Sequence, residues 1–334
     1  MQTSYQVVKN AINFTTPDRL PMETDRVGNP ADTHYVMWNQ AITGDLSKSE
    51  DYDEWGCKWV RSDIDNFGIV MGHPLSEWKN LDAYSWPDPD DPHFYEGMET
   101  KFDGSDGKYI LTGIFCFLFE RMYALRGFKN ILMDFYRERE KLEMLADRIV
   151  EFNIRVIHNI HERYPNEIHG IRSTDDWGTQ NNSAISKKLW DEFFLPRYKK
   201  INEECKRIGW DVWLHSCGKI NNLIPSFIES GCDVLNMQQP NVNGINEIGQ
   251  KFAGKVCFSS LCDIQQTLPF KTASKIEDEA AELLNKWGTE KGGFILSDYY
   301  DYQAIGVSLE KRQIMFDAFE KHDRWKAKQE FKTQ

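Results

Sequence analysis

The chain has 334 residues, a formal net charge of −12, 40% hydrophobic residues and 28% charged residues, a balance that suits a globular fold with a sizeable core. Lys and Arg are scattered, so the acidic excess excludes a general nucleic-acid surface. No apolar run approaches the roughly 20 residues that a membrane-spanning helix needs, so no membrane association is expected. Met1 to Asn13 lacks a basic stretch followed by an apolar one, so no secretory signal is expected. The seven cysteines then read as reduced thiols in a cytoplasm.

In chain order, residues 1–107 form an N-terminal extension with the first structural elements, and residues 108–334 form the main body. Residues 80–107 read as a surface excursion, with Pro87, Pro89 and Pro92 among acids and then Gly104 and Gly107. From Tyr109 onward, short apolar runs alternate with segments of helical period. The runs are Tyr109 to Phe119, Glu167 to Ser173, Asp211 to Leu214, Val234 to Met237, Val256 to Ser259, and Phe294 to Leu296. Between them the spacing predicts helices over 131–163, 186–208 and 219–230. Pro196 should split the second of these, and Gly209 should cap it.

Strands alternating with helices imply parallel strands joined by right-handed crossovers, buried on both faces. An open sheet with a phosphate loop would carry a Gly-rich fingerprint, and none is present. Polar residues instead gather just after the apolar runs: Asp175-Asp176-Trp177, His215-Ser216-Cys217, Asn236 to Gln239, Cys262-Asp263, and Asp298-Tyr299-Tyr300-Asp301. A barrel brings all strand C-termini to one face, where such clusters converge. The expected fold is therefore α/β, a (β/α)8 TIM barrel with an N-terminal extension.

His215 and Cys217 lie two residues apart where a strand ends, so their side chains point the same way. An imidazole and a thiol so placed suit zinc, which needs three protein ligands and an open position for catalysis. Adjacent Asp175 and Asp176 beside Trp177 are costly to bury without partners, which marks them as functional candidates.

The stretches Thr174-Asp-Asp-Trp-Gly-Thr-Gln180, Phe194-Leu-Pro-Arg-Tyr198, His215-Ser-Cys-Gly218 and Gly231-Cys-Asp-Val-Leu-Asn236 carry a resemblance, as do Asp53-Glu-Trp-Gly56 and Gly72-His-Pro-Leu75. The chain resembles the uroporphyrinogen decarboxylase superfamily, especially its corrinoid-dependent methyltransferase branch. The resemblance implies a (β/α)8 barrel, zinc, and a corrinoid supplied by a partner protein. It also implies a possible homodimer.

Two departures bear on function. The region that grips substrate carboxylates in the decarboxylases reads Glu23-Thr-Asp-Arg-Val-Gly-Asn29, with one Arg and two acids, which suits a porphyrinogen poorly. The final cysteine ligand of the zinc methyltransferases is missing from Ser297-Asp-Tyr-Tyr-Asp-Tyr302. Cys262 is then the expected third ligand beside His215 and Cys217, with Asp176, Asp298 and Asp301 as oxygen alternatives and Tyr300 as the least conventional candidate. Asp176 and Tyr300 are the expected catalytic residues. Asp175, Trp177, Asn236, Tyr299 and Tyr302 are expected around the substrate. The expected activity is transfer of a methyl group between a small methylated molecule, such as a methoxylated aromatic, and a corrinoid protein. Two rival readings are a metal-independent decarboxylase or lyase of a small carboxylate, relying on Arg26 or Asp176, and a non-catalytic ligand-binding barrel.

Overall fold

The computed structural model describes residues 1–25, 30–40, 48–61 and 68–326. Its strands are β1 (Thr33–Tyr35), β2 (Glu50–Tyr52), β3 (Lys58–Val60), β4 (Ile69–Gly72), β5 (Tyr109–Ile114), β6 (Gly170–Thr174), β7 (Asp211–His215), β8 (Val234–Met237), β9 (Cys257–Ser260) and β10 (Phe294–Leu296). Seven of them form one curled sheet in the order β1-β5-β6-β7-β8-β9-β10, and every pairing in it is parallel. The segment at Met22 fills the eighth position. It bridges Leu296 in parallel, Leu296 N–H donates to Pro21 O at 2.9 Å, and Glu23 N–H donates to Leu296 O at 2.9 Å. On its other side Asp32 N–H donates to Met22 O at 2.8 Å, next to β1. The barrel thus closes through a strand too short to show as an apolar run.

All six strands expected from the apolar runs are present. The first expected helix is two, Phe128–Arg137 and Arg139–Arg163, broken at Glu138 by a non-helical backbone (φ −137°, ψ 45°). Pro196 splits the next helix into Lys187–Phe193 and Leu195–Arg207, because it has no N–H to give within a helix. Gly209, at φ +87°, ends it in the left-handed conformation. The excursion over 80–107 is not wholly superficial, since Phe94, Tyr95 and Met98 are buried and the Trp38 ring meets Phe94 at 5.2 Å. β2, β3 and β4 form a separate antiparallel sheet. The buried Arg121–Asp53 ion pair, at 2.6 Å, ties the turn between β2 and β3 to the helix Phe119–Arg126.

Strand periodicity sorts the barrel interior into layers. At the N-terminal end, helix Ser4–Ile12 plugs the barrel with Val8, Ala11 and Ile12, which pack on inward-facing Tyr109, Leu111, Trp213, Val234, Cys257 and Ile295. Two residues further along the strands the interior turns polar, with Arg172, Asn236 and Ser259. Val212 and Leu214, of opposite parity on β7, pack in the outer core between strands and helices. No helix among the described residues is long and apolar enough to cross a membrane.

Candidate metal centre at the barrel mouth

His215 is the last residue of β7 and shares the inward face with Trp213, so it stands at the C-terminal mouth directly above the apolar plug. Cys217 follows two residues later, with its Sγ 3.4 Å from His215 Nε2. Asp176 comes from the loop after β6, and its Oδ1 lies 3.6 Å from His215 Nε2 and accepts the Cys217 N–H at 2.8 Å. One ligand atom from each of Asp176, His215 and Cys217 falls within 4.8 Å of the others.

Two glycines let these loops meet. Gly178 N–H donates to Cys217 O at 3.0 Å. A Cβ on Gly218 would lie 2.3 Å from the carbonyl carbon and oxygen of Gly178, closer than real atoms come. Gly218 also sits at φ +76°, where a side chain is strained.

The imidazole tautomer follows from its neighbours. Asn236 Nδ2 donates to Ser259 O at 3.1 Å and Ser259 Oγ at 2.6 Å, while Asn236 Oδ1 accepts from Arg172 Nη2 at 2.6 Å. Arg172 has only donors, so the amide orientation is determined. His215 Nδ1, 2.6 Å from the same Oδ1, must therefore carry the proton. Its Nε2 lone pair then faces Cys217 and Asp176, the arrangement in which imidazole binds a metal. Burial, more than any neighbouring charge, pushes the His215 pKa down and keeps the ring neutral. Burial, followed by Asp176 and Glu120, pushes the Cys217 thiol well up. It becomes a thiolate only with a cation beside it.

The donor set fits zinc. It offers one nitrogen, one sulfur and one oxygen, with the remaining side open to a cavity of about 890 Å³. That volume is in the range of small-molecule sites. Its wall includes Tyr35, Phe115, Glu120, Tyr299 and Gln238.

The family model for uroporphyrinogen decarboxylase (URO-D) matches residues 56–322. The chain belongs to the URO-D family. No curated protein matches it. Among solved structures, a methyltransferase from Methanosarcina mazei matches 96% of this chain and 99% of its own, at 15% identity and a TM-score of 0.72. That likeness establishes the fold. An intracellular xylanase, TsXylA from Thermoanaerobacterium saccharolyticum, matches 64% of this chain and 74% of its own, at 11% identity and TM-score 0.38. A D-psicose 3-epimerase matches 67% of this chain and 79% of its own, at 10% identity and TM-score 0.36.

Within this URO-D barrel several expected site residues lie elsewhere. Cys262 is fully buried and its thiol faces Ile276 O at 3.4 Å, in helix Ala273–Lys286, so it packs outside the Asp176–His215–Cys217 cluster. Asp176 takes the third place, because its loop, not the one after β9, lies against Cys217. Asp175 is fully buried and accepts the N–H groups of Phe119 and Glu120 at 2.9 and 2.7 Å and the Tyr198 hydroxyl. It caps helix Phe119–Arg126 and does not touch the cavity. Trp177 is also fully buried, stacked on Phe119 at 4.3 Å. Asn236 orients His215 with every polar atom already used, so it has nothing left for substrate. Tyr302 lies under the Arg312 guanidinium, 5.2 Å from its ring centre, and Arg312 in turn holds Asp298. Tyr299 and Tyr300 do line the cavity, Tyr300 on the rim at 94% exposure. Asp298 and Asp301 line it too, outside the three-residue cluster. Arg26 lies outside the described residues.

Two groups of residues at or beneath the cavity escape the sequence reading. Glu120 lines the cavity, accepting from Thr174 Oγ1 and Tyr123 Oη, both at 3.2 Å. Burial first, then Asp176 and Asp175, push its carboxyl well above the usual range. It stands immediately after the run Tyr109 to Phe119, so the rule that found the other clusters could have found it. Arg172 and Glu23 are the second case. Arg172 Nη1 donates to Glu23 Oε2 at 2.7 Å and to Tyr35 Oη at 2.8 Å. Glu23 also accepts from the Ser259 hydroxyl. Their separation of 149 positions leaves no local signal.

Proposed function

We propose that this chain is a methyltransferase that moves a methyl group between a small methylated substrate and a corrinoid carried by a partner protein. Zinc would be held by Asp176, His215 and Cys217. The single observation that carries the metal reading is that these oxygen, nitrogen and sulfur donors meet within 4.8 Å beneath an open cavity. Family membership and the fold shared with a protein described as a methyltransferase support the reaction class.

The metal, when bound, would supply Lewis acidity to a substrate oxygen, and the corrinoid the other end of the methyl transfer. The chain's own residues do the positioning. Asn236 fixes the His215 ring. The Cys217 N–H bond to Asp176 holds the loop after β6 against the loop after β7. The aromatic wall shields the methyl-bearing group from water, and the mouth lies at the strand ends where a second protein can cap it.

Metal analysis of protein purified without chelator tests the site. Stoichiometric zinc is expected in wild type and in Cys262→Ser, and its loss in His215→Ala and Cys217→Ser. Methyl transfer is read from the absorbance of an added corrinoid protein with methoxylated aromatics as donors. A zinc-free wild type whose His215→Ala variant transfers methyl at full rate would sink the proposal.

A further inference from the structure

Resting on the methyl-transfer reading, we propose that the cavity selects aromatic methyl ethers that carry no anionic group. The observation is the balance of charge on its wall. Asp176, Asp298 and Asp301 all face it, and Arg172 is the only lysine or arginine among its described lining residues.

That arginine is already committed. Its Nη1 serves Glu23 and Tyr35 at 2.7 and 2.8 Å, and its Nη2 serves Asn236 at 2.6 Å. Releasing it to a substrate carboxylate would strand the buried Glu23 and loosen the amide that orients His215. Arg312 is not free either. Its Nε donates to Asp298 Oδ2 at 2.9 Å, and its guanidinium lies 5.2 and 5.0 Å from the Tyr302 and Phe316 rings.

A carboxylate entering this mouth would lose water, find no uncommitted lysine or arginine and meet Asp301; bound zinc, its charge offset by Asp176 and the Cys217 thiolate, would already face the ether oxygen. A neutral ring meets better partners. Phe115 and Tyr299 offer apolar faces, and Gln238 and Gln265 offer uncharged donors for a phenol or ether oxygen.

The test uses two compounds of like shape, 3-methoxybenzyl alcohol and 3-methoxybenzoate, titrated calorimetrically into the zinc-loaded full chain without corrinoid. The alcohol is expected to bind at least about tenfold more tightly at low salt. Added salt and Asp301→Asn should each narrow the gap. Equal or tighter binding of the benzoate overturns the proposal, as does a gap that neither salt nor Asp301→Asn changes. Binding of neither compound overturns it as well. Methyl transfer is scored separately on the same compounds. Equal transfer from both removes the charge selectivity and leaves the methyltransferase reading intact. Selective binding of the alcohol with no methyl reaching a corrinoid removes the methyltransferase reading and leaves the selectivity.

Discussion

Asn236 Oδ1 lies 2.6 Å from His215 Nδ1, and this contact decides which imidazole nitrogen faces the cavity. Because Arg172 and Ser259 hold the amide in one orientation, the asparagine acts on any metal without touching it.

Asn236→Ala should therefore weaken zinc binding roughly 10- to 100-fold, the usual effect of losing a partner behind a metal ligand. Competition against a chromophoric chelator measures this, with circular dichroism confirming the fold. Unchanged affinity would show that His215 needs no orienting group.

Gly218→Ala should push the Cys217 loop away from Gly178 and so from Asp176. An added Cβ would sit 2.3 Å from the Gly178 backbone. Gly209→Ala is the matched control, since it also has positive φ but nothing within 4 Å. Both should lose about 1–2 kcal/mol to backbone strain. Only Gly218→Ala should lose zinc as well. Equal zinc content in the two variants would contradict the close-packed loop contact.

Asp175→Ala should unfold the protein more readily without making it a specific binding mutant. The change leaves the Phe119 and Glu120 N–H groups and the Tyr198 hydroxyl without their acceptor. At about 1–3 kcal/mol for each stranded buried donor, the loss is on the order of 3 kcal/mol or more. Urea denaturation reads it directly. A variant of wild-type stability would return Asp175 to the list of substrate residues.

Stability should fall as pH drops below about 6.5, the ordinary histidine value, through His169. Its Nδ1 accepts the Ile110 N–H at 2.9 Å and so must be unprotonated in the fold. Burial first, then Lys9, push its pKa down. Between the folded and unfolded values the unfolded chain binds more protons, so this contribution is complete above the unfolded value and is lost on acidification. His169→Gln keeps an acceptor for Ile110 at every pH and should flatten the melting temperature between pH 7.5 and 5.5. An unchanged profile would assign the acid sensitivity to other groups.

Six barrel strands were legible because each carries a short apolar stretch, even where, as at Arg172 in β6, the inward face turns polar toward the mouth. β1 and the Met22 segment were not. They are only a few residues long, lie where the barrel closes between β10 and β5, and include Glu23 and His34, which carry no apolar signal. The pair His215 and Cys217 was legible because strand period alone places both on one side. Glu120 obeyed the same rule and was overlooked.

What the sequence determined by itself was the alternation of strand and helix, the barrel it implies, and two donors at one strand end. Local periodicity is enough for each of these. The tertiary structure alone decided the third donor. Asp176 and Cys262 both follow strands, and chain position does not rank them. Asp176 faces inward because two glycines let its loop touch the Cys217 backbone, while Cys262 turns outward onto helix Ala273–Lys286. Asp175 and Asp176 are neighbours in sequence with opposite roles for the same reason. One carboxylate meets stranded helix N–H groups in the core, and the other meets the mouth.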